Sequence, residues 1–117
     1  VNLSDLVKLT LRMRPDRILI GEIRGGEALS LLESWNTGHP GGVATVHCNS
    51  AEDATNRVVT LVSKNKEAPR NIENMVGQIL DVILFIEKDK TTGKRCVKEL
   101  VEVVGYEHNK FLFNSIT

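Results

Sequence analysis

Ile18-Leu19-Ile20-Gly21-Glu22-Ile23-Arg24-Gly25-Gly26 is the stretch that decides how the rest of the 117-residue chain reads. Its opening run, Ile18-Leu19-Ile20, is brief, β-branched and without polar alternation. That pattern predicts a central parallel strand buried on both faces. Gly21 closes the run, Glu22 stands directly beyond it, and Gly25-Gly26 breaks the chain. Upstream, Leu6, Leu9 and Met13 share one helical face, and Ser4 or Asp5 can cap the first turn. The spacing predicts a helix from about Ser4 to Met13, ended by Pro15, which disfavours helix at Arg14.

Downstream, Ala28, Leu31, Leu32 and Trp35 recur at helical spacing, predicting a helix over Glu27–Asn36 that Gly38 terminates. Gly41-Gly42 leads into Val43-Ala44-Thr45-Val46-His47, a second buried-strand candidate. Ser50 with Asp53 resembles a capping box with aspartate in the glutamate's place, opening a helix with Ala54, Val58, Leu61 and Val62 on one face. After a polar connector, Ser63 to Ala68, Pro69 suits a first helical turn, and Ile72, Met75, Val76, Ile79 and Leu80 follow with a 3.6-residue period. Val82 to Glu87 is strand-like and Asp89 to Lys94 is a polar turn. Arg95 to Tyr106 is a long strand whose alternation slips near Glu99-Leu100, which predicts a bulge. Glu107-His108-Asn109 turns it back into Lys110 to Phe113. Strands alternating with helices, then a meander, predict one α/β domain over residues 1–117, with a mainly parallel sheet and an antiparallel meander at its carboxyl-terminal edge.

Composition narrows the function classes. Fifteen basic and fifteen acidic residues cancel, which gives no nucleic-acid footprint and no strongly membrane-seeking surface. Aromatic residues are scarce, so base-stacking platforms are not expected. Cys48 and Cys96 match neither a disulfide framework nor a structural zinc site, which points to a reducing cytosolic setting. No run is long enough to span a bilayer. The chain begins at Val1-Asn2-Leu3, already running into an amphipathic stretch, a start that hints at a fragment and that processing would equally produce.

In open sheets of the predicted kind, ligands gather at the carboxyl ends of the strands. Two segments sit there, Gly21-Glu22-Ile23-Arg24 and His47-Cys48-Asn49. A carboxylate at Glu22 suits orienting an attacking water or supporting a magnesium ion; the plainer reading is a solvated loop residue. His47 suits contact with a terminal phosphate, or else is satisfied by a loop carbonyl. A metal site pairing His39 with His47, with or without Cys48, lacks the spacing and the further ligands. Arg12, Arg14, Arg17 and Arg24 crowd the same region, where guanidinium forks suit phosphate or act across a subunit interface; each taken alone reads by default as a helix-end or surface charge. A phosphate loop needs GxxxxGK[ST], and no window supplies it. Lys94 follows Gly93, but Arg95 takes the hydroxyl position. The glycine pairs therefore read as tight turns beside a crowded cleft.

Two longer blocks carry a family resemblance. Leu11-Arg12-Met13-Arg14-Pro15-Asp16-Arg17 running on through Ile18–Gly26 to Glu27-Ala28 resembles a Walker B region. Asn36-Thr37-Gly38-His39-Pro40-Gly41-Gly42 running on through Val43–His47 to Cys48-Asn49-Ser50 resembles a His box. Together they resemble the secretion and conjugation traffic ATPases, in particular the TrbB-type conjugal-transfer ATPases of type IV secretion systems. The resemblance implies a RecA-like P-loop domain in a hexameric ring on the cytoplasmic face of the inner membrane, docked to secretion or conjugation components. It implies magnesium-dependent ATP hydrolysis coupled to moving substrate or pilus components. By motif match, Glu22 would polarise the attacking water, touching magnesium only through a bound water. His47 would contact the γ-phosphate, and Arg14, Arg24 and Arg12 would meet phosphate or a neighbouring subunit. Related pilus and type II secretion ATPases share the scheme, but the Arg-Met-Arg-Pro-Asp-Arg run and Gly38-His39-Pro40-Gly41 favour the conjugation branch. The family's amino-terminal domain, phosphate loop and acidic box have no counterpart in this sequence. The chain alone is accordingly expected to bind no ATP tightly and to be inactive, and an assembly or interaction module is the alternative reading. Cys48 stands where a small residue such as alanine is expected.

Overall fold

Proline and paired glycines cut the amino-terminal half into short elements, whereas the carboxyl-terminal third runs in long strands. The computed structural model describes residues 3–13, 15, 17–37 and 41–116. Helix α1 (Leu3–Arg12), strand β1 (Leu19–Ile20), helix α2 (Glu27–Asn36), strand β2 (Val43–Ala44), helix α3 (Ala51–Ser63) and helix α4 (Ile72–Ile79) precede β3 (Val82–Lys88), β4 (Arg95–Glu107) and β5 (Lys110–Ser115). The class is mixed α/β, as the alternation of patterns predicts.

The core is largely helical. Ala28, Leu29, Leu31 and Leu32 of α2 meet Val58, Leu61 and Val62 of α3 and Val76 of α4, with Ile18 and Ile23 closing one side. Fully burying a Val, Leu or Ile contributes about 1.5–3 kcal/mol, so this cluster outweighs any single exposed polar contact among the described residues. The faces expected for α2 and α3 are the ones that go inward. Ser50 caps α3 as expected, its hydroxyl accepting from Asp53 N at 3.0 Å, while Asp53 Oδ2 accepts from Asn49 N at 3.1 Å. Pro69 lies ahead of α4 rather than inside it, because Asn71 is the residue at the helix's N-cap.

The expectation of a mainly parallel sheet is not met. β1 and β2 pair in parallel over two residues each, Leu19 with Val43 and Ile20 with Ala44. The larger sheet is antiparallel, in the order β3-β4-β5. Nor are β1 and β2 buried on both faces. The directly paired Leu19 and Val43 are 69% and 61% exposed, while Ile18 is buried and Ile20 and Ala44 pack against the core. Helices cover only one side of this pair. α1 leans on α2 instead, burying Val7 and half-burying Leu11, one helical turn apart. The face read from Leu6, Leu9 and Met13 therefore points outward and leaves an apolar groove beside Ile18 and Leu19.

In the antiparallel sheet the register slips between Phe85↔Glu99 and Ile86↔Val97, leaving Lys98 as the extra residue of the predicted bulge. A second slip lies between Val103 and Gly105. His108 and Asn109, both at positive φ, form the two-residue turn into β5. One face of the sheet packs on the helices: Val103 is buried, and Gly77 lets α4 approach so closely that a Cβ there would lie 3.1 Å from Tyr106 N. On the other face Leu84 pairs with Leu100, and Ile116, just past β5, donates its N–H to Leu100 O at 2.9 Å, so the three form an apolar row. A compact monomer of this length exposes roughly 6,300 Å². This chain exposes 8098 Å².

Gly42 is the tightest point of the parallel half. A Cβ there would stand 2.0 Å from Trp35 Nε1 and 2.5 Å from the Ile18 carbonyl oxygen. Trp35 Nε1 is buried and has no hydrogen-bond partner among the described residues, so the ring's fit is one of shape. Gly42→Ala should destabilise by about 1–3 kcal/mol through overpacking. Thermal melting should show this as a fall of roughly 5 °C or more, and an unchanged midpoint would mean the indole yields freely.

Candidate functional site

The parallel pair continues past its two formal residues. Val43 N donates to Ile18 O at 3.3 Å, and Ile23 N donates to Thr45 O at 2.8 Å. Thr45 Oγ1 donates to the carbonyl of Gly21. Strand alternation then sorts the side chains. Ala44 and Val46 pack against the core, whereas Val43, Thr45 and His47 face away from it. On the first strand Ile23 turns inward and is 6% exposed. Glu22, between Gly21 and Ile23, comes to the carboxyl end of the pair beside His47.

The Glu22 carboxylate is held from both sides. Arg24 Nε donates to Glu22 Oε2, and His47 Nε2 lies 2.5 Å from Glu22 Oε1. The Glu22 side chain is only 18% exposed, against 83% for Arg24 and 93% for His47. A screened carboxylate thus carries two exposed cationic or N–H-bearing neighbours. Arg24 uses its Nε here, which leaves the terminal guanidinium nitrogens for another acceptor. Exposed ion pairs contribute only about 0–1 kcal/mol, so these partners can be exchanged at little cost.

The loop leaving Glu22 is fixed separately. Glu27, first residue of α2, reaches back so that its Oε1 accepts from Arg24 N and Gly25 N, each at 2.9 Å. Burial opposes ionisation of this carboxyl. The amides of Arg24, Glu27 and Gly25 and the charge of Lys64 outweigh that, and hold it below the ordinary 4.5. Asn65 Nδ2 donates to Gly26 O at 3.0 Å, tying the loop to the end of α3. On the His47 side, Glu99 Oε1 accepts from Ala51 N at 3.3 Å, so the bulged strand β4 braces the start of α3.

Of the residues singled out in the sequence, the structure brings together Glu22, Arg24 and His47. Arg12 lies in the last turn of α1, where its charge suits the helix dipole. Arg17 is exposed, with Nε near Gly41. Arg14 and His39 lie outside the described residues. Among the described residues no cluster of three or more His, Cys, Asp or Glu could hold a metal ion. Burial pushes the Cys48 thiol up from its usual value; an amide bond from Ser50 opposes this, and Asp53 and Glu99 add to the rise, so the thiol stays protonated near neutrality. Sequence reasoning missed Thr45, Glu27 and Glu99. The period-two alternation that places His47 also places Thr45, and Glu27 at a helix start after Gly25-Gly26 is a carboxylate positioned for loop amides. Nothing local signals Glu99.

Comparison with known proteins supplies the context. The family model described as Type II/IV secretion system protein matches residues 1–111. A probable conjugal transfer protein TrbB of Sinorhizobium fredii is 40% identical over 115 residues, covering 98% of this chain and 34% of the relative. The conjugal transfer protein TrbB of Rhizobium radiobacter is 42% identical over 112 residues, covering 95% and 33%. The crystal structure of the VirB11 ATPase from the Brucella suis type IV secretion system, in complex with sulphate, is similar with a TM-score of 0.81 and 30% identity, over 87% of this chain and 32% of that one. The chain thus spans about a third of the length of these relatives. No helix of the described residues is long and apolar enough to cross a membrane.

Glu27 offers a test of the loop's anchoring. Its carboxyl lies lower in the folded state than its ordinary 4.5, so its contribution is full above that value and is lost as pH falls through the folded-state value. Glu27→Gln should lower the melting temperature at pH 7 and narrow the gap between melts at pH 7 and at acidic pH below about 4. An unchanged gap would show that the loop amides are held by other means.

Proposed function

This chain belongs to the type II/IV secretion system protein family, and from that premise we propose that it is the γ-phosphate-facing part of an ATPase driving type IV secretion or conjugal transfer. The observation that carries the reading is the Glu22 carboxylate held between Arg24 and His47 at the carboxyl ends of two parallel strands. The complete protein would be RecA-like, assemble as a hexameric ring, and work at the cytoplasmic face of the inner membrane with secretion or conjugation components. The bare faces around Leu19, Val43 and Leu84 support a place within a larger body.

The donor set fits the terminal phosphate of a magnesium nucleotide. Glu22 is an acceptor for a water proton, and Arg24 and His47 are donors for phosphate oxygens. A γ-phosphate competes with the Glu22 carboxylate for the same two exposed donors. As Arg24 and His47 turn to the phosphate, Glu22 gains free lone pairs with which to orient the attacking water. Magnesium, when bound, would neutralise charge on the phosphate oxygens, with Glu22 as the carboxylate that would support it through water. Arg14 and Arg12 contact phosphate or a neighbouring subunit. Because the sequence contains no GxxxxGK[ST], this chain by itself neither grips nor hydrolyses ATP.

In the complete protein Glu22→Gln should reduce turnover by roughly 10²–10⁴-fold while ATP binding persists. Near-normal turnover would remove Glu22 from the water-orienting role. His47→Ala should lower kcat more than it weakens binding; a loss confined to binding would make it a ground-state contact. Titration calorimetry of the chain alone with magnesium-ATP should show no saturable binding below about millimolar concentration, and micromolar binding would overturn that expectation.

A further inference from the structure

Glu22 has a peptide plane on each side, and one residue of the opposite strand holds both. The plane before it ends in the Gly21 carbonyl, which accepts from Thr45 Oγ1. The plane after it carries the Ile23 amide, which donates to the Thr45 carbonyl at 2.8 Å. With both planes fixed, the φ and ψ of Glu22 are fixed, and so is the direction in which its Cβ leaves the chain. The two restraints differ in what backs them up. The Ile23 side is also anchored by its buried side chain. The Gly21 side has no side chain to anchor it: a glycine there rotates at little steric cost, and nothing beyond its own chain neighbours lies within 4 Å of where its Cβ would be. The Thr45 hydroxyl is the contact that stops that rotation. Thr45 also lies two residues before His47, on the same outward face of the strand.

We propose that Thr45 is a positioning residue for Glu22, its hydroxyl locking the Gly21–Glu22 peptide so that the carboxylate meets His47 and the reacting water in one orientation. This rests on the reading of Glu22 as the water-orienting carboxylate. Thr45 is exposed, and its hydroxyl bond lies at the surface. Losing one such bond should move the melting temperature by only a few degrees, which separates positioning from folding.

The test uses the complete ATPase with Thr45→Val, which keeps the branched shape and removes the donor, and Thr45→Ser, which keeps the donor. Misplacing a reacting group by about 1 Å costs up to roughly 100-fold in rate. Thr45→Val should therefore lower kcat by about 10-fold or more, with KM for ATP within about 2-fold and melting nearly unchanged. Thr45→Ser should restore turnover to within about 3-fold of the parent. Adding Thr45→Val to Glu22→Gln should cause no further loss, since there is no longer a working carboxylate to aim. Full turnover in Thr45→Val, equal loss in Val and Ser, or a large fall in melting temperature would each overturn the positioning role. If instead Glu22→Gln itself turns over normally, the underlying reading of Glu22 fails and this inference fails with it. A dead Glu22→Gln beside a fully active Thr45→Val sinks the inference alone.

Discussion

The parallel pairing of the chain's first two strands is the constraint on which the rest of the structure depends. Parallel neighbours cannot be joined by a tight turn; they need a crossover, here supplied by α2. α2 has to lie on one side of the pair for that crossover to close, and it does so by burying Ala28, Leu29, Leu31 and Leu32 against α3 and α4. The crossover therefore builds the core and aligns the two strand ends in the same step. Glu22 and His47 become neighbours because each follows its strand at the aligned ends of the pair.

The division of labour between apolar and polar contacts follows from their magnitudes. Burial of the helical cluster is worth several times any exposed ion pair. The core thus sets the backbone, and the backbone sets the side chains at the strand ends. The contacts among Glu22, Arg24 and His47 do little for the fold, and that suits groups proposed to exchange partners during a reaction. The loop between Glu22 and α2 is different: Glu27 and Asn65 hold it through main-chain groups, so Arg24 is carried on a fixed base while its guanidinium stays exposed.

How much of this was legible in the sequence depended on how local each interaction is. Ala28, Leu31 and Leu32, and likewise Val58, Leu61 and Val62, declare their helices through a period that the core reads directly. The slip in alternation near Glu99 declares a bulge, because a period of two cannot absorb an extra residue silently. Leu19 and Val43 misled because an apolar run shows that cover is needed, not whether it is present. α1 misled by one step around its axis: Val7 and Leu11 face inward although Leu6, Leu9 and Met13 look as apolar. Glu22 and His47 stood out as polar residues directly after apolar runs. Thr45 did not, since a threonine in a strand is unremarkable until its hydroxyl is seen to cross to Gly21.

The contact between Glu99 and the first amide of α3 gives the β3–β4 hairpin an uneven tolerance to change in length. Its tip, where Asp89 organises Thr91 and Thr92, lies beyond the bulge and touches nothing that sets the strand ends. Residues can be gained or lost there with the consequences confined to a surface turn. Between the bulge and the body of the sheet the same event would turn Glu99 to the opposite face and strip α3 of its brace. Descendants of such a chain should accordingly vary in length at the tip and hold their count at the bulge.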